Sequence, residues 1–174
     1  IQNLINIGSD DKVKAFICTQ DLKDEDYINS HYVIMATKKG QVKKTPLEQY
    51  SRPRTNGINA ITIKEGDELL EAKLTTGDSQ IMLAVKSGKA IRFEEEKTRS
   101  MGRNASGVRG IRLNSEKDEV IGMITINESE TDVLVVSENG YGKRSSLEDY
   151  RITNRGGKGV KTISVTEKTG NLVA

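Results

Sequence analysis

Catalysis by side chains needs a nucleophile, a metal-ligand set or an acid–base pair, and this sequence is poor in all three. Its 174 residues contain one histidine, His31, and one cysteine, Cys18. Zinc coordination and Cys/His nucleophilic chemistry both require partners that are missing here. Glu94, Glu95 and Glu96 are adjacent in the chain. Like charges next to one another form no catalytic pair unless the fold converges them, so these three are expected to be solvated. Tyr50 and Tyr150 stand ten residues after Gly40 and Gly140; the equal offsets predict packing against the surrounding structure. What remains is the chemistry of cations.

The net charge is only +2, so the total argues for nothing. The distribution does. Three windows, 38–54, 86–112 and 143–161, hold twenty Lys/Arg against six Asp/Glu, and the rest of the chain holds seven against nineteen. A cationic band on an otherwise acidic body suits a phosphate polyanion, because each neutralised phosphate releases condensed counterions. The residues expected to contact phosphate in the first window are Lys38, Lys39, Lys43, Lys44, Arg52 and Arg54. In the second they are Lys89, Arg92, Arg99, Arg103, Arg109 and Arg112, and in the third Lys143, Arg144, Arg151, Arg155, Lys158 and Lys161. Strand alternation should turn about half of them away from a common surface. The third window also carries a glycine turn, Gly156, Gly157 and Gly159, where backbone can approach a partner closely. It lacks the Gly-Lys-Ser/Thr ending of a nucleotide-binding loop. The competing explanation, that Lys and Arg merely stop sheet edges from pairing, accounts poorly for three windows in register.

The register comes from a repeat. A small basic turn recurs at Gly40, Gly88 and Gly140, spaced by 48 and 52 residues. A second anchor, glycine followed by an apolar residue and another three further on, recurs at Gly57, Gly107 and Gly159, spaced by 50 and 52. Short β-branched runs precede each first anchor at Tyr32 to Ala36, Ile81 to Val85 and Val133 to Val136. Further apolar strands are expected at Val13 to Cys18, Leu69 to Leu74 and Val120 to Ile126. No segment shows three turns of helical periodicity; Pro46 to Tyr50 reads as a single turn. The expectation is an all-β, propeller-like array of about three four-stranded blades of roughly 50 residues. The boundaries read from the repeat are 1–10 for the tail of a preceding blade, 11–66, 67–117 and 118–170 for three blades, and 171–174 for the start of another unit. Composition suits a folded, cytoplasmic chain without disulfides or a membrane-spanning stretch.

Ser146 to Arg151, running into Thr153-Asn154-Arg155-Gly156-Gly157-Lys158-Gly159-Val160-Lys161-Thr162, resembles the repeat unit of the C-terminal domain of the bacterial DNA gyrase A protein. Pro46 to Tyr50 and Met101 to Gly110 are similar to other blades of it. The resemblance covers essentially the whole chain. It implies a β-pinwheel, in which neighbouring blades exchange a strand and double-stranded DNA wraps round a basic perimeter with little sequence specificity. It further implies a non-catalytic, nucleoid-associated part of an ATP-dependent type IIA topoisomerase. The remainder of the gyrase A protein and the gyrase B protein would be partners, and ATP and Mg would be bound elsewhere in the holoenzyme. The family's signature box reads Gln, basic, Arg, Gly, Gly, basic, Gly. Thr153 and Asn154 replace its first two positions, which is the relaxed form of a late blade and puts the intact box upstream. The equivalent domain of topoisomerase IV, recognising DNA crossings, is the nearer alternative, and a protein-binding propeller the more distant one. Interfaces of the latter kind rely on apolar and aromatic anchors, and aromatics are 4% of this chain.

Overall fold

The computed structural model describes residues 7, 8 and 10–174. The expected tail of a preceding blade therefore falls mostly outside the described residues. Ten strands follow in order: β1 (Tyr32–Thr37), β2 (Gln41–Pro46), β3 (Leu69–Thr75), β4 (Gln80–Val85), β5 (Lys89–Glu94), β6 (Val108–Arg109), β7 (Val120–Ile126), β8 (Asp132–Val136), β9 (Gly142–Ser146) and β10 (Val160–Lys161). They form two four-stranded sheets, ordered β3-β1-β2-β6 and β10-β5-β4-β7, and a two-stranded hairpin, β8-β9. All named pairings are antiparallel.

Each four-stranded sheet is a hairpin completed on both sides by chain that comes later. The strand Leu69–Thr75, read from sequence as opening the second unit, closes the first sheet by pairing with β1. The outermost strand of that sheet, β6, arrives later still. In the third hairpin a bridge between Ser137 and Leu172 stands where β3 and β7 stand in the others. Val13 to Cys18 is not a strand. Strands β3 and β7 are each laid on a hairpin that precedes them, and no hairpin precedes residues 13–18 among the described residues. Ala15 and Ile17 instead pack under the first blade together with a short helix, α1 (Glu25–Ser30). The sequence reading missed this helix, although Asp24 as its N-cap and the acids Glu25 and Asp26 in its first turn are a recognisable start signal. The turns after the hairpins, Leu47–Tyr50, Glu95–Lys97 and Leu147–Asp149, are single 3-10 turns.

The core lies between blades. In β4, Ile81 and Leu83 join Ile34, Ala36 and Val42 of the first blade in one cluster, while Met82 joins Val133, Val135 and Leu147 of the third in another. Successive side chains of a strand point to opposite faces. A strand buried on both faces therefore reads as a continuous apolar run, as Ile81 to Val85 does. At roughly 1.5–3 kcal/mol per fully buried aliphatic side chain, these stacked faces are the main attraction between blades. Strands β3 and β7 pack against one another, and β6 and β10 stand at the opposite, outer edges of their sheets.

The two sequence anchors prove to be halves of one junction. The carbonyl oxygen of Gly40 accepts from the amides of Gly110 and Ile111 at 2.8 and 3.3 Å, and that of Gly88 accepts from Thr162 and Ile163 at 2.9 and 3.3 Å. Gly107 has φ +88°, and a Cβ there would lie 2.5 Å from the Val42 carbonyl oxygen; Gly159 meets Ala90 in the same way. Gly57 has φ +79° but nothing within 4 Å of such a Cβ. These positions form a matched set. Gly57→Ala should cost about 1 kcal/mol, the cost of a left-handed backbone alone, whereas Gly107→Ala and Gly159→Ala should each cost at least about 2 kcal/mol more. Urea unfolding of the three variants checks this ordering.

Candidate nucleic-acid interface

The eighteen cations expected to reach phosphate fall into three structural groups. Lys43 and Lys44, on β2, are buried at 0% and 7% exposure. They offer nothing to a surface partner, which corrects their assignment as contacts. The Lys43 ammonium donates to the carbonyl oxygens of Ala60 and Arg103, the latter at 2.6 Å. Lys44 Nζ lies 3.2 Å from the Glu95 carboxylate, 4.3 Å from the Tyr32 ring centroid, and donates to the Gly77 carbonyl oxygen at 3.0 Å. Glu95 is 0% exposed and also accepts from Thr75 Oγ1 at 2.7 Å, so the expectation that it is solvated fails. The sequence carries a signal for this: the 3-10 turns of the first and third units begin with Leu47 and Leu147, and Glu95 breaks the pattern.

A second group is at or near the surface but already engaged. Arg92 occupies the position in β5 that Lys44 holds in β2. It donates to Gln80 Oε1 and, across the junction, to the carbonyl oxygens of Leu147 at 2.6 Å and Tyr150 at 3.3 Å. Its equivalent in β9, Arg144, is exposed and pairs with Asp132 at 2.8 Å. Lys38 pairs with Glu68 at 2.7 Å and approaches Glu119 at 3.9 Å. Lys39 and Lys89 reach the Glu116 carbonyl oxygen and Asn114 Oδ1. Lys143 reaches the Thr162 carbonyl oxygen. The hairpin-turn end of the molecule is thus electrically balanced by acids. Lys14 and Lys38 together hold the Glu68 carboxyl at about 2, and Asp118 accepts from the Ser87 amide and hydroxyl.

The third group is free. Arg52, Arg54, Arg99, Arg109, Arg112, Arg151, Lys158 and Lys161 are exposed, and among the described residues no side chain bonds to theirs. Lys97, also inside the second basic window, is exposed as well and joins them. All of these lie after the 3-10 turns, up to and just past the outer strands, on segments 52–62, 97–112 and 151–163. Those segments are laced end to end. The Thr62 amide donates to the Ala105 carbonyl oxygen at 3.2 Å, and the equivalent Arg112 amide donates to Gly157 at 2.8 Å. Two half-buried arginines repeat a second tie, Arg103 to the Asn59 carbonyl oxygen at 3.3 Å and Arg155 to that of Arg109 at 3.1 Å. Arg155 also donates to Lys97 at 2.9 Å. The result is a continuous outer belt.

In the glycine turn, Gly156 has φ +81° and Gly159 φ +72°; the Gly156 amide donates to Gly110 at 2.6 Å. Gly157 lies over Ile91. Thr153, which departs from the signature box, donates its amide to the Arg92 carbonyl oxygen at 2.9 Å. Tyr50 and Tyr150 match the packing expected of them: each hydroxyl bonds to the second anchor of its own unit, at Ala60 and at Thr162. His31 caps α1, with Nδ1 2.8 Å from the Tyr27 carbonyl oxygen. Cys18 is free and exposed, and no group of three or more potential metal ligands occurs among the described residues. None of the described helices is long and apolar enough to cross a membrane.

The Lys44–Glu95 pair makes a stability test that separates buried from surface cations. Glu95→Ala strands an ammonium in the core and is expected to cost about 3–5 kcal/mol. Lys44→Met combined with Glu95→Leu, which restores the leucine of the other units, should recover most of that loss in chemical denaturation.

Comparison with known proteins agrees with this architecture. The family model described as DNA gyrase C-terminal domain, beta-propeller, matches residues 31–76, 80–127 and 131–174. The chain is 45% identical over 174 residues to the DNA gyrase A protein of Staphylococcus epidermidis and 43% identical to that of Staphylococcus aureus. Each match covers 99% of this chain and 19% of the relative, so the chain spans about a fifth of their length. Among solved structures it superposes on a C-terminal domain of DNA topoisomerase IV with TM-score 0.86 at 25% identity, covering 98% of this chain and 51% of that one. A DNA gyrase A C-terminal domain gives TM-score 0.84 at 24% identity, with 98% and 55% covered. With its sheets completed by strands from later units and the family match recurring once per hairpin, the chain belongs to the DNA gyrase C-terminal domain, beta-propeller, family.

Proposed function

We propose that this chain is a non-catalytic DNA-binding and DNA-bending module that holds duplex DNA by its phosphates along the outer belt. The observation that carries this reading is the lacing of segments 52–62, 97–112 and 151–163 into one track on which the unpartnered cations of the basic windows stand. Phosphate contacts of this kind position DNA without reading its sequence. Arg52, Arg54, Arg99, Arg109, Arg112, Arg151, Lys158 and Lys161 are the proposed contacts, with Arg103 and Arg155 holding the track in shape. Acids at the hairpin-turn end discourage DNA from lying there.

In the parent enzyme the module would join the rest of the gyrase A protein and the gyrase B protein. It would bend DNA so that ATP-driven strand passage, with ATP and Mg bound elsewhere, introduces negative supercoils. The relaxed box at Thr153 and Asn154 favours bending over full wrapping by this stretch alone. The gyrase assignment rests on 45% identity to a DNA gyrase A protein, against 25% to the topoisomerase IV domain.

Salt dependence of binding to mixed-sequence duplexes tests the proposal. Removing one phosphate-neutralising cation lowers the slope of log K against log salt by about 0.9. Neutralising Arg151, Lys158 and Lys161 together should therefore reduce the slope by about 2–3 and weaken ring closure of short duplexes. Neutralising Lys39 and Lys89 should change it little. An unchanged slope in the triple variant would remove the belt from DNA binding.

A further inference from the structure

Lys43 is the one buried cation of the basic windows that, among the described residues, has no carboxylate against it. It sits mid-strand in β2, opposite Met35, at 0% exposure. The same position is Ile91 in the second blade, packed in the apolar cluster. In the third it is Lys143, exposed and 3.3 Å from the Thr162 carbonyl oxygen. Only the first blade places a buried ammonium there, so packing alone does not require one.

Its two acceptors identify what the ammonium does. Ala60 belongs to the outer segment of the first unit and Arg103 to the glycine-flanked turn of the second. Around them the same two segments meet again. Thr62 Oγ1 donates to the Asn104 carbonyl oxygen at 2.7 Å and Arg103 to that of Asn59, while the Arg103 amide reaches the 3-10 turn at Gln49 Oε1, 3.1 Å away. Beside this junction Arg52, Arg54 and Arg103 line one depression with Glu48, Gln49 and Ile58, three cations against one carboxylate. We infer that Lys43 is a positioning residue for the phosphate track, tying the Asn59–Ile61 segment to the Arg103 turn from below and so setting the spacing of Arg52, Arg54 and Arg103. This rests on the DNA-binding reading above, although the tie itself does not.

The ionisable groups facing Lys43 are the Tyr50 hydroxyl, which shares the Ala60 carbonyl oxygen, and the Arg103 guanidinium. Burial, and behind it the charge of Arg103, push the Lys43 ammonium down to about 8 from an ordinary 10.5. Charge-assisted bonds to carbonyl oxygens are about twice as strong as neutral ones, so losing the proton slackens the tie. The linkage runs the other way for folding. An unfolded Lys43 keeps its proton to about 10.5, the folded one releases it near 8, and stability therefore rises with pH across that window.

The test uses the intact chain with Lys43→Met and Lys43→Arg. Affinity for a mixed-sequence duplex is followed from about pH 7 to 9.5 at fixed salt, bracketing the Lys43 transition, together with unfolding free energy and amide exchange at Thr62. Wild-type affinity is expected to fall about threefold or more with an inflection near 8 while stability rises. Lys43→Arg, always charged, should keep wild-type affinity at about pH 7 and lose the inflection. Lys43→Met should bind about threefold or more weakly at every pH, speed exchange at Thr62, and make Arg103→Ala less costly than it is in the wild type. A Lys43→Met protein that folds with unchanged Thr62 exchange, or whose DNA affinity is simply additive with Arg103→Ala, overturns the inference. Faster Thr62 exchange with DNA affinity unchanged by Arg52→Ala, Arg54→Ala and Arg103→Ala would keep the tie and sink the DNA-binding reading instead.

Discussion

The molecule is held in register by a glycine carbonyl accepting two amides from the next unit's chain. Gly40 receives Gly110 and Ile111, and Gly88 receives Thr162 and Ile163. Each of these hairpin turns is closed by a later segment, and that segment brings the outer strand and the basic residues with it. The contact demands glycine because a positive φ and the carbonyl oxygens of Ile111 and Ile163 leave no room for a side chain at Gly40 and Gly88. Strand exchange, blade stacking and the placing of cations on the outside all depend on this small contact.

Basic residues do two different jobs in this fold, and their depth decides which. In the middle of the second hairpin strand, Lys44 and Arg92 reach across to the next blade's 3-10 turn, one to a carboxylate and the other to carbonyl oxygens. Arginine suits the second because its planar fork can meet several acceptors at once. Beyond the 3-10 turns the chain turns outward, and Arg99, Arg109, Arg112 and their counterparts are exposed to solvent. A charge window in sequence merges both kinds.

The period, the all-β class, the hairpins and the glycine anchors are legible in the sequence because each is a local pattern: a β-branched run, a turn, a required positive φ. Which hairpin a strand joins is not, since β3 pairs backward with β1 and nothing in Leu69–Thr75 encodes direction. Residues 13–18 show the same limit, having the composition of a strand and no partner strand among the described residues. The buried pair is hidden because Lys44 and Glu95 lie on different units, and a lone lysine looks like surface. The free cations of the outer belt all fall in the basic windows, but only depth separates them from Lys43, Lys44 and Arg92.

The backward pairing gives the array a direction in time. Hairpin β1-β2 is emitted early by a ribosome, yet its outer edge stays open until Val108 and Arg109 emerge, and the next stays open until Val160 and Lys161. An unsealed strand edge is a template for misassociation. Nascent chains of this kind thus carry at least one vulnerable edge until the last outer strand is laid down, and slow translation through the segments before Gly107 and Gly159 would lengthen that exposure.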